Sequence, residues 1–504
     1  MMQRLRESLA LVLIGTLPFH AFLVTVLTRM IAGPGHAPLT MLTLWKEILL
    51  AIIVLIALLE WNAAILDRER RSDVLQFDWI DGLILILLNL AIVVSAAAHV
   101  SLGQFFVGLK YDFIGPLSFL VLRRVAWSGT FLHRMSMMLP VIGGVLALYG
   151  IDSFFLPQNF FSALGYSDYH SLYMPSGPIA AFQQIVGTGI RRIQSVMSGP
   201  NQYGLWILIP WCFALQTWLQ QPSLRRSICS IDAVKALVRR ARPAEIPAFP
   251  WYLLLLAIAL FLTFSRTAWI AVALVTIIAL LHRNKELLRS WFNRRVGFAV
   301  AAVAIILFVA FPAVFFRLSS TRGHVDRPID GIVTILAHPF GLGLGSAGPA
   351  SNRGSDACVF LEPNDDPSWA KSIPNLCVYV GSVKVQPARD CRCPLLPENW
   401  YLQMGIEMGV AGFGLYVALV ILVLKKLRRA KGEGQLTKGS QFAIRNSQFA
   451  TQAVFLIFLG LSIAGLFLHS WEDSAAAYTV WMLVAAMENA RGRDCSGDGM
   501  HHPL

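Results

Sequence analysis

WIDGLILILLNLAIVVSAAAH, residues 79–99, carries Asp81 as its only charged residue and shows no polar face at helical or strand spacing. Twenty-one residues at helical rise extend about 30 Å, the thickness of a bilayer's hydrocarbon. Backbone in lipid has no water to bond, so only a helix or a closed barrel can cross, and uniformly apolar runs of this length read as helices. The same reading applied outward gives about twelve spans: 8–30, 44–60, 79–99, 102–122, 134–154, 203–220, 249–265, 267–282, 296–316, 402–424, 449–469 and 474–490. The expected fold class is an all-α integral membrane protein.

Composition agrees. Of 504 residues, 56% are hydrophobic and 14% charged, too few charges to cover a water-soluble protein of this size. The first apolar run follows Arg4 and Arg6 and lacks a small-residue cleavage site, so it reads as a retained span rather than a signal peptide. The net charge of +13 could suggest nucleic acid, but the distribution points to topology instead. The N-terminus, Arg68/Arg70/Arg71, Arg123/Arg124/Arg134, the loops at 225–242, 283–295 and 425–445, and the tail 491–504 together hold 28 of the 42 lysines and arginines. These segments lie on one side of the alternating spans, so both termini are expected in the cytoplasm. The chain then divides into five spans in 1–154, an external loop at 155–202, four spans in 203–316, a large external loop at 317–401, and three spans in 402–490.

Four of seven cysteines, Cys358, Cys377, Cys391 and Cys393, fall in the large external loop. In an oxidising compartment they suggest one or two disulfides, with three pairings open if all four join. Zinc is the alternative, but paired C-x-x-C knuckles are missing.

Four boundary segments stand out. GIRRIQSVMSGPNQYG (189–204) sets Arg191 and Arg192 before a Gly-Pro-Asn turn, where snorkelling arginines are the plain alternative. TFSRTAW (263–269) puts Arg266 in a tight turn between two apolar spans, a costly place unless it faces a polar cavity or an anion. AHPFGLGLG (337–345) looks like a phosphate loop only without its context; a turn that lets backbones approach closely fits better, and His338 before proline has a structural reading too. PENWYL (397–402) brings a carboxylate, an amide and two aromatics to the mouth of a span, where an aromatic belt is the alternative.

In this order on one face, the four segments resemble the O-antigen ligase and O-antigen polymerase family of bacterial membrane glycosyltransferases, over roughly residues 185–425. The resemblance implies an inner-membrane enzyme, its site facing the periplasm, that moves glycan from a polyprenyl diphosphate carrier to an acceptor hydroxyl without metal or other cofactor. It also implies a chain-length regulator and a flippase as partner proteins, beside the lipid bilayer and the lipid-linked oligosaccharide. On that basis Arg191, Arg192, Arg266 and Lys110 would meet the diphosphate, whose leaving-group charge guanidinium forks suit. Glu398, then His338, would take the acceptor's proton. Asn399, Trp400 and Tyr401 would line the sugar site, with Trp369 and Tyr379 as further stacking surfaces. Ligases of the family place a histidine where this chain has Glu398. That departure favours a polymerase of O-antigen, capsule or exopolysaccharide repeats over a lipid A-core ligase. A flippase or transporter is the reading from another class, but no internal repeat supports it. Lys46, Glu47, Lys110 and Asp112 lie within spans; Lys110 and Asp112, two apart, are expected to have separate partners.

Overall fold

Helices dominate the chain. The computed structural model describes residues 1–67, 76–167, 177–185, 189–220, 248–283, 318–352, 355–361, 365–429 and 441–489. The expected ninth span, the 225–242 loop and the tail lie outside the described residues. Short turns apart, the helices are α1 (Met2–Thr16), α2 (His20–Ala32), α3 (Trp45–Leu66), α4 (Trp79–Ala97), α5 (Leu102–Leu122), α6 (Gly129–Ser153), α7 (Pro200–Gln220), α8 (Ala248–Leu262), α9 (Arg266–Arg283), α10 (Leu318–Ala337), α11 (Trp400–Arg429), α12 (Gln441–Ala464) and α13 (Ser474–Asn489).

Among the described residues, six segments are long and apolar enough to cross a membrane: Met2–Ala32, α3, α4, α5, α6 and α11. Trp251–Leu262, Arg266–Leu281 and Phe449–Ala464 are shorter apolar helices. Their outward faces carry aliphatics such as Leu55, Val93, Val141 and Leu148, all more than half exposed, as a hydrocarbon solvent permits. The first expected span is broken at Leu17–Phe19, a 3₁₀ turn around Pro18, whose ring nitrogen has no hydrogen to donate.

Side-chain caps fix where several helices start. Asp78 accepts from the Ile80 and Asp81 amides at α4, Ser101 from Gln104 at α5, and Ser128 from Phe131 at α6. Asp78 and Asp81 also hold one end of the bundle together. Arg123 at the end of α5 binds Asp78, Asp81 and, on α13, Glu488, each at 2.7 Å, while Lys426 of α11 reaches Asp78 at 2.6 Å. Arg6 of α1 pairs with Glu60 of α3 at the same level of their helices. Thus the starts of α1 and α4 share an end with the finishes of α3, α5, α11 and α13.

Between α9 and α11 the fold departs from an all-α expectation. Residues 317–401, read as one external loop, begin with the amphipathic α10 and contain a three-stranded sheet. Strands β3 (Cys358–Leu361) and β4 (Cys377–Val380) run parallel, in register Cys358 to Cys377, and β4 pairs antiparallel with β5 (Val383–Gln386). Two shorter strands, β1 (Gln183–Gln184) and β2 (Arg191–Arg192), pair in the first loop. The four loop cysteines join as Cys358–Cys393 and Cys377–Cys391, tying the first residues of both parallel strands to the chain that returns to α11. Asp356 lies beside Cys377 and Cys391 but is bound by the Arg389 guanidinium, which holds its carboxyl down at about 2.

The glycine-rich run at 341–345 docks against a break in α11. Gly409 there has φ 72° and ψ −173°, a conformation open essentially to glycine alone. The Leu342 and Gly343 amides donate to the carbonyls of Ile406 and Glu407 that the break frees, at 2.8 and 2.9 Å, and the Val410 amide donates to the Pro339 carbonyl. Gly341, Gly343 and Gly345 all have positive φ, and a side chain at Gly341 would strike the α11 backbone. The run is a backbone clasp, with Gly345 and Ala347 amides both donating to the Glu407 carboxylate.

Candidate functional site

At the end of the bundle opposite the Asp78 network lies a cavity of about 560 Å³, within the ~300–1,000 Å³ typical of ligand sites. The starts of α3, α7, α11 and α13 and the finish of α1 border it. Lys46, Glu47 and Lys110 stand on one wall, Asn201 and Gln202 on another, and Glu398, His469 and Glu472 on a third.

The cationic wall is built from two helices. Lys110 of α5 binds Glu47 of α3 at 2.7 Å, and Lys46 contacts both Glu47, at 3.3 Å, and His20 Nε2, at 3.2 Å. Two ammonium groups thus meet the Glu47 carboxylate on this wall, with Asp473 of the cavity lining also within electrostatic reach of Lys46. Asp112 faces elsewhere and accepts from Gln403 at 3.1 Å, because a two-residue offset turns it about 200° around the helix.

The opposite wall centres on Glu398. Its carboxylate oxygens are held separately, one by His324 and one by Arg327, both from α10. Burial would raise the Glu398 carboxyl, but these partners outweigh it and hold the group below its usual range. Glu398 also sits at φ 48°. Among the described residues, the non-glycine residues with positive φ are His99, Ser195, Phe264 and Glu398. The last three fall inside three of the four segments singled out in the sequence. Such backbone costs on the order of 1–3 kcal/mol per residue and persists where surrounding structure over-determines it.

Two of the four segments line this cavity, the first through Met197, Ser198, Asn201 and Gln202 and the fourth through Glu398. Arg192 donates to the Thr263 carbonyl at 3.0 Å, to Gln183 at 3.1 Å and to the side chain of Asn201 at 2.8 Å, joining the first segment to the second. Arg266, half-buried at the start of α9, lies within electrostatic reach of Glu398. The glycine clasp fixes α11 at Ile406–Val410, more than two turns beyond Glu398, and Asn352 and Pro349 after the glycines line the cavity.

Other candidates stand apart. Arg191 donates to the Leu156 carbonyl and lies over Phe182, off the cavity lining. His338 is exposed at the end of α10 and is likewise absent from the lining. Asn399 caps α11, accepting from the Leu402 amide and donating to the Leu466 carbonyl. Trp400 is buried against Tyr416, and Tyr401 donates its hydroxyl to the Ser462 carbonyl. Neither ring therefore presents a face for a sugar. Among the outer aromatics, Tyr379 stacks on Phe360 at 5.0 Å on the sheet, and Trp369 is partly exposed.

Sequence reasoning gave His469 and Glu472 no role, yet both line the cavity. Gln403 connects them: its amide nitrogen donates to Asp112 and Glu472, and its oxygen meets His469 Nδ1 at 2.5 Å. Their only sequence signal was a cluster of polar residues, His469 to Asp473, in a tight turn between apolar helices. No family model matches the chain, and no curated protein matches it.

Proposed function

We propose that the chain is a polytopic enzyme of a bacterial inner membrane that transfers glycan from a polyprenyl diphosphate to an acceptor hydroxyl. In this reading it threads the membrane about twelve times with both termini cytoplasmic, and the cavity opens toward the periplasm. One observation carries the proposal: a single cavity is lined by Lys46, Lys110 and the ion-paired Glu398 carboxylate, together with Asn201 and Gln202 of the first singled-out segment.

The chemistry asks for that arrangement. Breaking the sugar–diphosphate bond builds negative charge on the leaving group, and fixed cations in a site of low dielectric stabilise it. Lys110 and Lys46 face that position directly, and Arg192 and Arg266 stand behind it. The acceptor enters from the Glu398 side, where a carboxylate can accept a hydrogen bond from its hydroxyl and orient it. Glu398 in place of a histidine inclines the reading toward a polymerase of repeat units.

The test is a gel profile of surface and lipid-linked glycan from a strain lacking this protein. Glycan reduced to single repeats, with no long lipid-linked polymer, is the expected result. Long polymer retained on its lipid carrier, with none on lipid A-core, would show a ligase. Unchanged profiles for every glycan would overturn the proposal.

A further inference from the structure

Resting on the glycosyl-transfer reading, the structure assigns the acceptor's proton to His469 rather than to Glu398. The assignment begins with Gln403. The nitrogen of the Gln403 side chain donates to both Asp112 and Glu472. The other end is therefore the carbonyl oxygen, and it can only accept. His469 Nδ1, 2.5 Å away, must carry a hydrogen and donate it. A neutral imidazole with hydrogen on Nδ1 keeps its lone pair on Nε2. Nε2 has no hydrogen-bond partner among the described residues. The ring lines the cavity, and burial lowers His469 to about 4, so it is neutral at pH 7.

Glu398 lacks this freedom. Both its oxygens are already engaged by α10, one by His324 and one by Arg327, whereas Nε2 of His469 has no partner among the described residues. Its charge serves another purpose. Among the groups facing His469, Glu398 favours the imidazolium and Arg327 opposes it. Glu472 and Asp473 belong to the same turn, and Asp112 lies behind Gln403. The step balances as follows. The acceptor oxygen attacks the anomeric carbon, its proton passes to Nε2, and the carbon–oxygen bond to the diphosphate breaks with its electron pair leaving on the phosphate. Glu398 stabilises the imidazolium until the proton leaves for solvent.

The experiment uses purified full-length protein in nanodiscs with a polyprenyl-diphosphate-linked oligosaccharide. His469→Ala is expected to lose about 10²–10⁴-fold in turnover, the range general bases supply, with KM for the lipid-linked substrate little changed. Added imidazole should restore part of that loss, more so as pH rises and free base accumulates, but should restore nothing in Glu398→Gln. Turnover of His469→Ala within threefold of wild type would overturn the assignment. Nitrogen NMR of histidine-labelled wild-type protein supplies a readout independent of the variants' folding. Hydrogen on Nδ1 at pH 7 is expected for His469, and hydrogen on Nε2 would refute the role. Absence of wild-type transfer would instead overturn the glycosyl-transfer reading itself.

Discussion

Gly409→Ala should be the most damaging single-methyl change in α11, and its cost can be worked from geometry. The native φ of 72° with ψ near 180° lies in a region essentially closed to alanine, which costs about 1–3 kcal/mol. The new Cβ would lie 2.3 Å from the Pro339 carbonyl oxygen and 2.7 Å from the Phe340 carbonyl carbon, both backbone atoms that cannot swing aside. Relief requires the clasp to withdraw, weakening the bonds from Leu342 to Ile406, Gly343 to Glu407 and Val410 to Pro339, each contributing about 1 kcal/mol net. The sum is about 4–6 kcal/mol. At roughly 2 °C per kcal/mol, the lower end of the scale for larger domains, the melting midpoint should fall by about 8–12 °C. The assay is thermal unfolding of detergent-solubilised protein at one scan rate, since such unfolding is commonly irreversible. Gly414→Ala is the control: it lies in the same helix with open space around its Cβ, so it should be neutral or slightly stabilising. Gly409→Ala melting within about 2 °C of wild type would refute the clasp.

Arg266→Lys should fold normally yet lose about 10²-fold in glycan transfer, because an ammonium lacks the planar fork that spreads leaving-group charge; wild-type turnover in membranes would rule out the role. Glu398 has a depressed pKa, so its ion pairs contribute stability above the unfolded value of about 4.3 and lose it as pH falls through the lower folded value. Glu398→Gln should therefore melt below wild type at pH 7, by about 1–3 kcal/mol, with the gap closing near pH 3; a gap independent of pH would contradict the pairing. Cys391→Ser opens the 377–391 ring, costing the sheet about 3 kcal/mol of chain-entropy stabilisation. Limited proteolysis should then cut the 365–395 segment far faster, and unchanged protection would show that the sheet holds without it.

The sequence disclosed what depends on local pattern and concealed what depends on meeting across the bundle. Apolar runs of membrane length announced the helices, and the two-residue offset of Lys110 and Asp112 correctly implied different partners, now Glu47 and Gln403. Clustered glycines signalled close backbone approach, although nothing local said that the approached backbone was a broken helix 68 residues later. The aromatic pair Trp400–Tyr401 misled for a related reason. Interface and core both want rings at a span's mouth, and only the packing of Tyr416 and Ser462 decides between them.

The least legible residues are those on which the site's acid–base character turns. His324 and Arg327 lie three apart on α10 within a segment read as loop, so their convergence on one carboxylate could not be seen without the helix. Placing Glu398 at the mouth of α11 suggested a base, but a carboxylate's basicity depends on what occupies its lone pairs, and α10 occupies both oxygens. Lone-pair capacity is displaced to His469, whose tautomer is set through Gln403 by carboxylates on two other elements, Asp112 of α5 and Glu472 of the turn before α13. Each of those residues alone is an ordinary polar group near an apolar helix. Only their order of donation, imidazole to amide to carboxyl, leaves a nitrogen free to take a proton.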